Sequence, residues 1–271
     1  MQVVLTVSAS DSSGCAGMQA DIRAIAASGA HAACVVTAVT AQSSQRVLDI
    51  FPLPAAILRT QLEVVFADLR VTAVKSGVLG SVEAVEALAH VLRAHPLPYV
   101  LDPVLSATSG GGLSSSEIVS AMRERLFPLA TLITPNAIEA ATLTGMAVRD
   151  RASAAFAGRE LVRSGCGAVL VKGGHFTDDV CVDVLVDSLG ETIFEGEFLL
   201  NPNTRGTGCT LASAIAVHLG NGAALTDAVE RARAFVAGAI HGGYDVRGRG
   251  PVDAFAFMRK AAVQDEAGVG R

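Results

Sequence analysis

The chain has 271 residues, of which 51% are hydrophobic and 17% charged, with no Trp and a formal net charge of −5. That balance argues against a nucleic-acid-binding or membrane-surface role. Five scattered cysteines without a Cys-x-x-Cys pair exclude a disulfide scaffold or a zinc site. No basic segment leads into a long apolar one at the N-terminus, and no apolar run is long enough to span a bilayer, so the expected location is the cytoplasm.

Apolar periodicity and punctuation predict strands alternating with helices. Val3–Ser8 reads as the first strand and Ala9–Ala16 as a small polar loop. Gly17–Ser28 has helical spacing, with Met18, Ile22 and Ile25 on one face and Gly29 as a C-terminal cap. Cys34–Val39 and Val47–Phe51 read as strands, the second ended by Pro52 and Pro54; Cys34 and Cys181 sit in apolar runs and are expected in the core. A helix over Ala55–Phe66, a strand over Ala73–Ser76 and a helix over Val82–Ala94 follow. Pro98–Leu101 is a strand delivering Asp102, followed by a Ser/Gly loop over Ser106–Leu113 and a helix start near Ser114–Glu117. Leu132–Thr134 is a strand ending at Pro135-Asn136, with helices near Ile138–Thr144 and Ser153–Arg163 and a buried strand at Ala168–Val171. Val180–Val186 and Thr192–Phe198 form a hairpin through Leu189-Gly190. Helices over Thr210–His218 and Leu225–His241 lead to Gly250, and a loose tail is expected from Gln264. The alternation predicts one α/β domain over residues 1–263 with a mainly parallel sheet.

Ligands in such sheets sit beyond the carboxyl ends of the strands, where the polar punctuation falls. Gly206-Thr207-Gly208-Cys209 opens a small-residue helix, so free N–H groups and the helix dipole make it an anion cradle. Cys209 stands at its mouth, where a thiol pKa tends to fall. Asp102, locked by Pro103, can reach a Mg²⁺–phosphate complex or be a simple Asp-Pro turn. Asn136 and Glu139 can hold metal-bound water or form an ordinary helix cap. Lys172-Gly173-Gly174 brings a cation and bare backbone together, or is a plain turn. Gln42 offers a donor and an acceptor, which fits an aminopyrimidine edge. Gln19 and Asp21 face either solvent or the pocket behind the first loop. The fingerprints of P-loop proteins, dinucleotide enzymes and zinc proteases are missing.

In order, Ser10-Asp11-Ser12-Ser13-Gly14-Cys15-Ala16-Gly17-Met18-Gln19-Ala20-Asp21, Thr37-Ala38-Val39-Thr40-Ala41-Gln42, Lys75-Ser76-Gly77-Val78-Leu79, Val100-Leu101-Asp102-Pro103-Val104, Leu132-Ile133-Thr134-Pro135-Asn136-Ala137-Ile138-Glu139-Ala140, Val171-Lys172-Gly173-Gly174-His175 and Asn203–Thr210 cover nearly the whole chain. The set resembles the hydroxymethylpyrimidine/phosphomethylpyrimidine kinases of thiamine biosynthesis, a branch of the ribokinase-like superfamily. The resemblance implies a three-layer αβα kinase without a separate lid domain. It implies ATP and Mg²⁺ as cofactors, a homodimer, and two successive phosphorylations of 4-amino-5-hydroxymethyl-2-methylpyrimidine. By position in the motifs, Gln42, Asp21, Asp11, Gly14 and Ala16 would meet the pyrimidine. Asn136, Lys172, Gly174 and Thr204 would lie along the nucleotide, Asp102 and Glu139 would serve the metal, and Gly206, Thr207, Gly208 and Cys209 would form the catalytic anion hole.

The resemblance has departures. The family's first loop reads Gly-Ser/Thr-Asp-Pro-Ser-Gly-Gly-Ala-Gly, whereas Ala9, Ser12 and Cys15 stand here for Gly, Pro and Gly; Thr108 replaces a frequent Lys. Many ribokinase-like enzymes carry Asp as base where Cys209 stands. If Cys209 is a base, its loss slows the first phosphorylation more than the second, whose attacking oxygen is already anionic; equal losses point to a purely shaping role. A pyridoxal kinase and a non-catalytic binder on the same fold are the alternatives.

Overall fold

The computed structural model describes residues 1–105, 113–174 and 180–259. Strand β1 (Val3–Asp11) is a β-branched run whose alternate side chains enter two different cores: Leu5 and Val7 on one face, Val4 on the other. It pairs in parallel with β2 (His31–Gln42), and β3 (Val47–Pro52) returns antiparallel along β2 at the edge. On its other side lie β4 (Val71–Ser76), β5 (Tyr99–Leu101), β6 (Leu132–Ile133) and β7 (Ala168–Val171), all parallel. Among the described residues, the antiparallel hairpin β8 (Val180–Asp187) and β9 (Glu191–Glu197) completes a nine-stranded sheet of order β3-β2-β1-β4-β5-β6-β7-β8-β9.

Eight helices cover the sheet among the described residues. Helices α2 (Ala55–Asp68), α3 (Val82–Ala94), α4 (Ser116–Arg125), α5 (Ala137–Thr144) and α6 (Arg151–Arg163) share one core, while α1 (Gly17–Ala27), α7 (Thr207–Gly220) and α8 (Leu225–His241) share the other. The architecture is therefore the three-layer αβα expected from the alternation. Close approach is built in: a Cβ on Gly158 of α6 would lie 2.6 Å from a Val186 methyl of β8.

The differences from the sequence expectations are local. Strand β1 runs on to Asp11, because Ser10 and Asp11 rejoin β2 at Val39 and Thr40 after an irregularity in register. Ile22 is 37% exposed although Met18 and Ile25 are buried, because α1 turns Asp21 inward instead. Cys34 and Cys181 are only half-buried, whereas Cys15 and Cys166 are buried. Helix α7 begins at Thr207, three residues earlier than the periodicity indicates, with Gly206 as its left-handed N-cap at φ 78°. Most of the Ser106–Leu113 loop, with Thr108, and also His175 and the tail from Gln264 lie outside the described residues.

Candidate active site

From β1 the chain goes to β2 on one side and later returns to β4 on the other, so the strand order reverses between β1 and β4. A crevice forms at such a switch point, beyond the carboxyl ends of the strands. A cavity of about 730 Å³ opens there. It runs from the ends of β1 and β2, past Asp102 after β5, Asn136 after β6 and Lys172 after β7, to a wall made by β9 and α8.

At the β1 end, Asp11 organises the first loop. One carboxylate oxygen accepts from the Ser13 N–H and hydroxyl at 2.8 Å, and the other accepts the Ala16 N–H at 2.8 Å. Gln19 fixes the same loop, taking the Asp11 N–H at 2.8 Å and donating to the Ser10 hydroxyl. Ser12, which stands in place of the family's Pro, joins its hydroxyl to both the backbone N–H and C=O of Gln42. Among the described residues the Gln42 amide itself makes only long contacts, 3.3 Å to Thr40 and 3.4 Å to Asp11, and it lines the cavity. Opposite, Ala9, Val78, Val104 and Leu113 supply a small apolar surface. A slot with one apolar wall and an amide at its edge fits a flat nitrogen heterocycle.

In the centre, Lys172 Nζ lies 2.9 Å from Asp102 Oδ1, which also accepts the Thr134 hydroxyl at 3.0 Å. Burial pushes the Asp102 carboxyl up, but Lys172 and Lys75 outweigh it and hold the group below its ordinary value. Asn136 and Glu139 form a reciprocal capping box at the start of α5: Asn136 Oδ1 accepts the Glu139 N–H, and Glu139 Oε2 accepts the Asn136 N–H at 2.8 Å. The plain cap is present, and both residues also line the cavity. Burial pushes the Glu139 carboxyl up to about 7, with Lys172 opposing and the neighbouring Asp102 charge adding to the rise.

The N-terminus of α7 faces this centre. A Cβ on Gly208 would lie 3.2 Å from Lys172 Nζ and 3.7 Å from Asp102 Oδ2, so the ion pair sits close against the helix and a side chain there would press on the lysine. Gly206 is more strictly constrained, since at φ 78° a Cβ there would meet the Cys15 carbonyl at 2.5 Å. Thr207 turns its hydroxyl back onto the Thr204 carbonyl at 2.6 Å. Cys209 occupies the first turn, but its thiol is not a ready anion. Burial pushes it up to about 12; Lys75 and the Gly17 N–H pull the other way, while Asp21 and Asp102 add to the rise. The expected fall in its pKa is therefore corrected: desolvation outweighs the helix dipole here.

Asp102, Glu139, Asn136, Lys172, Gly174, Thr204, Gly206, Thr207, Gly208, Cys209, Gln42, Asp11 and Ala16 all line the one cavity. Gly14 and Asp21 do not. Gly14, at φ 69°, shapes the turn and donates its N–H to the Asp11 carbonyl. Asp21 is fully buried, with Lys75 Nζ 2.9 Å from both of its oxygens and hydroxyls of Thr6 and Ser213 at 2.7 and 3.0 Å. Its carboxylate is saturated by these donors, so it braces the floor instead of meeting a ligand. Sequence reasoning gave no role to Lys75, Arg205 or the Asp183–Arg233 pair, whose Nε–Oδ2 distance is 2.7 Å on the far wall. A lysine inside the apolar strand Val74-Lys75-Ser76 was the available signal for the first.

The family model "Phosphomethylpyrimidine kinase" matches residues 11–253. A hydroxymethylpyrimidine/phosphomethylpyrimidine kinase of Streptomyces coelicolor is 43% identical over 252 residues, covering 93% of each chain. The thiamine biosynthesis bifunctional protein ThiED of Geobacter sulfurreducens is also 43% identical, but the chain spans only 51% of that longer relative. Among solved structures, a Bacillus subtilis pyridoxal kinase in an ADP complex superposes with TM-score 0.88 at 30% identity, covering 95% of this chain and 99% of that one. A phosphomethylpyrimidine kinase from Clostridium difficile superposes with TM-score 0.78 at 34% identity, covering 89% and 100%. The strand order, the strand-end cavity and these matches agree, and the chain belongs to the phosphomethylpyrimidine kinase family, on a ribokinase-like fold.

Proposed function

We propose that this chain uses ATP to phosphorylate 4-amino-5-hydroxymethyl-2-methylpyrimidine and then phosphorylates the monophosphate to the diphosphate, in thiamine biosynthesis. The observation that carries the reading is a single cavity joining the Gln42 slot to the Lys172–Asp102–Gly208 centre. Gln42 and the Asp11–Ala16 loop orient the ring, and Asn136, Lys172, Gly174 and Thr204 follow the nucleotide. Asp102 and Glu139, both lining the cavity, would serve Mg²⁺. Two carboxylates alone suit an ion that takes its other ligands from phosphates and water. Bound there, it would neutralise phosphate charge.

In the first step the hydroxymethyl oxygen attacks the γ-phosphorus as the bridging P–O bond breaks and ADP leaves, and the hydroxyl proton passes to an oxygen of the transferred phosphoryl group and from there to solvent. Charge spreads over the equatorial oxygens, which the α7 N–H groups and Lys172 meet. Such a loose transition state depends more on positioning than on a strong base. In the second step a phosphate oxygen attacks and no hydroxyl proton has to leave.

An ADP-release assay with Mg-ATP and the pyrimidine alcohol, with products resolved by mass, tests the reading; diphosphate is expected. The closeness to pyridoxal kinase structures favours a second reading, phosphorylation of pyridoxal, tested in parallel. No turnover with either compound leaves a binding protein.

We also propose a homodimer through the β2–β3 edge. Val39 and Phe51 pair across these strands and stay 47% and 67% exposed, and Leu48 of β3 is 65% exposed. Light scattering should give twice the chain mass, and Phe51→Asp should halve it.

A further inference from the structure

Arg205 lies between the first loop and the anion cradle, and the proposed reaction as set out above gives it no role. Its backbone is pinned in a parallel bridge to Pro251: its N–H donates to the Gly250 carbonyl, and its carbonyl accepts the Val252 N–H at 3.1 Å. The side chain is only 5% exposed and borders the cavity. Its Nε–H has no acceptor among the described residues. Its charged neighbour is Asp11, with Nη2 to Oδ2 at 4.0 Å, too long for a hydrogen bond. The Asp11 oxygens are already engaged by the Ser13 and Ala16 N–H groups. A guanidinium has five N–H donors in a fixed fork; the enclosed Nε–H faces protein, and the Nη groups, which make no hydrogen bond among the described residues and stay accessible beside the cavity, are the donors a ligand can meet.

Position identifies that ligand. Gly206, the next residue, packs against Cys15, Ala16 and Ala20 and starts the α7 N-terminus. Arg205 therefore sits where the ring-holding loop meets the phosphoryl-holding helix. The part of the acceptor found at such a junction is its exocyclic oxygen. That oxygen is a neutral hydroxyl in the first step and part of a phosphate monoester in the second.

We infer that Arg205 is a specificity-determining residue that holds the phosphate of the monophosphorylated acceptor and so favours the second phosphorylation over the first. The inference rests on the double-kinase reading. With the alcohol bound, Arg205 is balanced only loosely by Asp11. With the monophosphate bound, the guanidinium gains a charge-assisted partner that the alcohol cannot provide.

The test is calorimetric titration of wild-type protein, Arg205→Gln and Arg205→Lys with the pyrimidine alcohol and with its monophosphate, alongside diphosphate formation. The ratio of monophosphate to alcohol affinity should fall roughly 10- to 100-fold in Arg205→Gln, the range for a lost hydrogen bond to a charged group. Arg205→Lys, which keeps the charge but loses the fork, should recover part of it. Alcohol binding also reports whether each variant is folded. An unchanged ratio in Arg205→Gln, with wild type still making diphosphate, overturns this inference and leaves the kinase reading standing. A wild-type protein that binds neither compound and makes no diphosphate overturns both.

Discussion

Replacing Cys209 separates a base from a wall. Its thiol is pushed up to about 12 by burial. At pH 8 only about one thiol in 10⁴ is ionised, and ionising it costs about 5 kcal/mol at roughly 1.36 kcal/mol per pH unit. A base that must first take up that energy has little to give a loose phosphoryl transfer. Cys209→Ala should therefore slow both phosphorylations by a similar factor. A contact worth about 1 kcal/mol corresponds to roughly fivefold. Single-turnover reactions started from the alcohol and from the monophosphate measure the two steps separately. A second readout is alkylation, since only the thiolate reacts. Iodoacetamide labelling of Cys209, followed by peptide mass, should rise about tenfold per pH unit from 7 to 10 without a plateau. A hundredfold loss confined to the first step, or a labelling plateau below pH 9, would refute the reasoning and restore Cys209 as a base.

Three further outcomes are expected. Glu139 has a folded pKa raised from 4.5 to about 7, so its share of stability is intact below pH 4.5 and is lost as pH rises through 7, on the order of 3 kcal/mol. Glu139→Gln keeps an oxygen for the Asn136 N–H, so in metal-free buffer it should melt above wild type at pH 8, with the gap closing toward pH 5; equal gaps at both would sink the argument. Lys75→Met strands the fully buried Asp21 carboxylate and should lower unfolding free energy in urea by about 3–5 kcal/mol, part of which Asp21→Asn recovers; a loss under about 1 kcal/mol contradicts it. In Gly208→Ala the new Cβ comes within 3.2 Å of Lys172 Nζ, which should reduce turnover on the order of tenfold through misplacement while leaving the melting temperature nearly unchanged; a matching loss of stability would place the effect in the helix instead.

The sequence made the local structure legible where local chemistry decides it. Helix α3 starts and stops where predicted because Ser81 caps it through the Ala84 N–H and a strong apolar face carries it to Ala94. Legibility failed where a distant partner decides. Met18, Ile22 and Ile25 have ideal helical spacing, yet Ile22 faces outward because α1 must bury Asp21 against Lys75, 54 residues away in sequence. Periodicity alone puts the start of α7 at Thr210 because two glycines interrupt the apolar pattern, whereas the Gly206–Cys209 motif marks it, a left-handed Gly206 being itself a good cap. For the site, ordered motifs located the residues that line the cavity, since they punctuate strand ends. They could not tell that Gly14 shapes a turn or that Asp21 lies beneath the floor, because burial is a property of the assembled layers. Nor could they mark Arg205, whose interest lies in the hydrogen-bond partners it lacks.

The Lys75–Asp21 pair explains why the floor is polar at all. Lys75 belongs to β4, Asp21 to α1, and Ser213, which donates to the same carboxylate, to α7. These are the elements whose ends converge on the cavity: β4 borders the switch point, and α1 and α7 both begin at it. An apolar contact of the same volume would hold them together but would let the helices slide, since dispersion has no direction. A carboxylate meeting two Nζ contacts and two hydroxyls has one good arrangement, and a shift of α7 along its axis breaks it. The same ammonium also contributes to holding Asp102 ionised. One buried lysine therefore ties α1 and α7 to β4 and adds to the stronger hold of Lys172 on the Asp102 charge, which is why its removal should affect stability and phosphoryl transfer together.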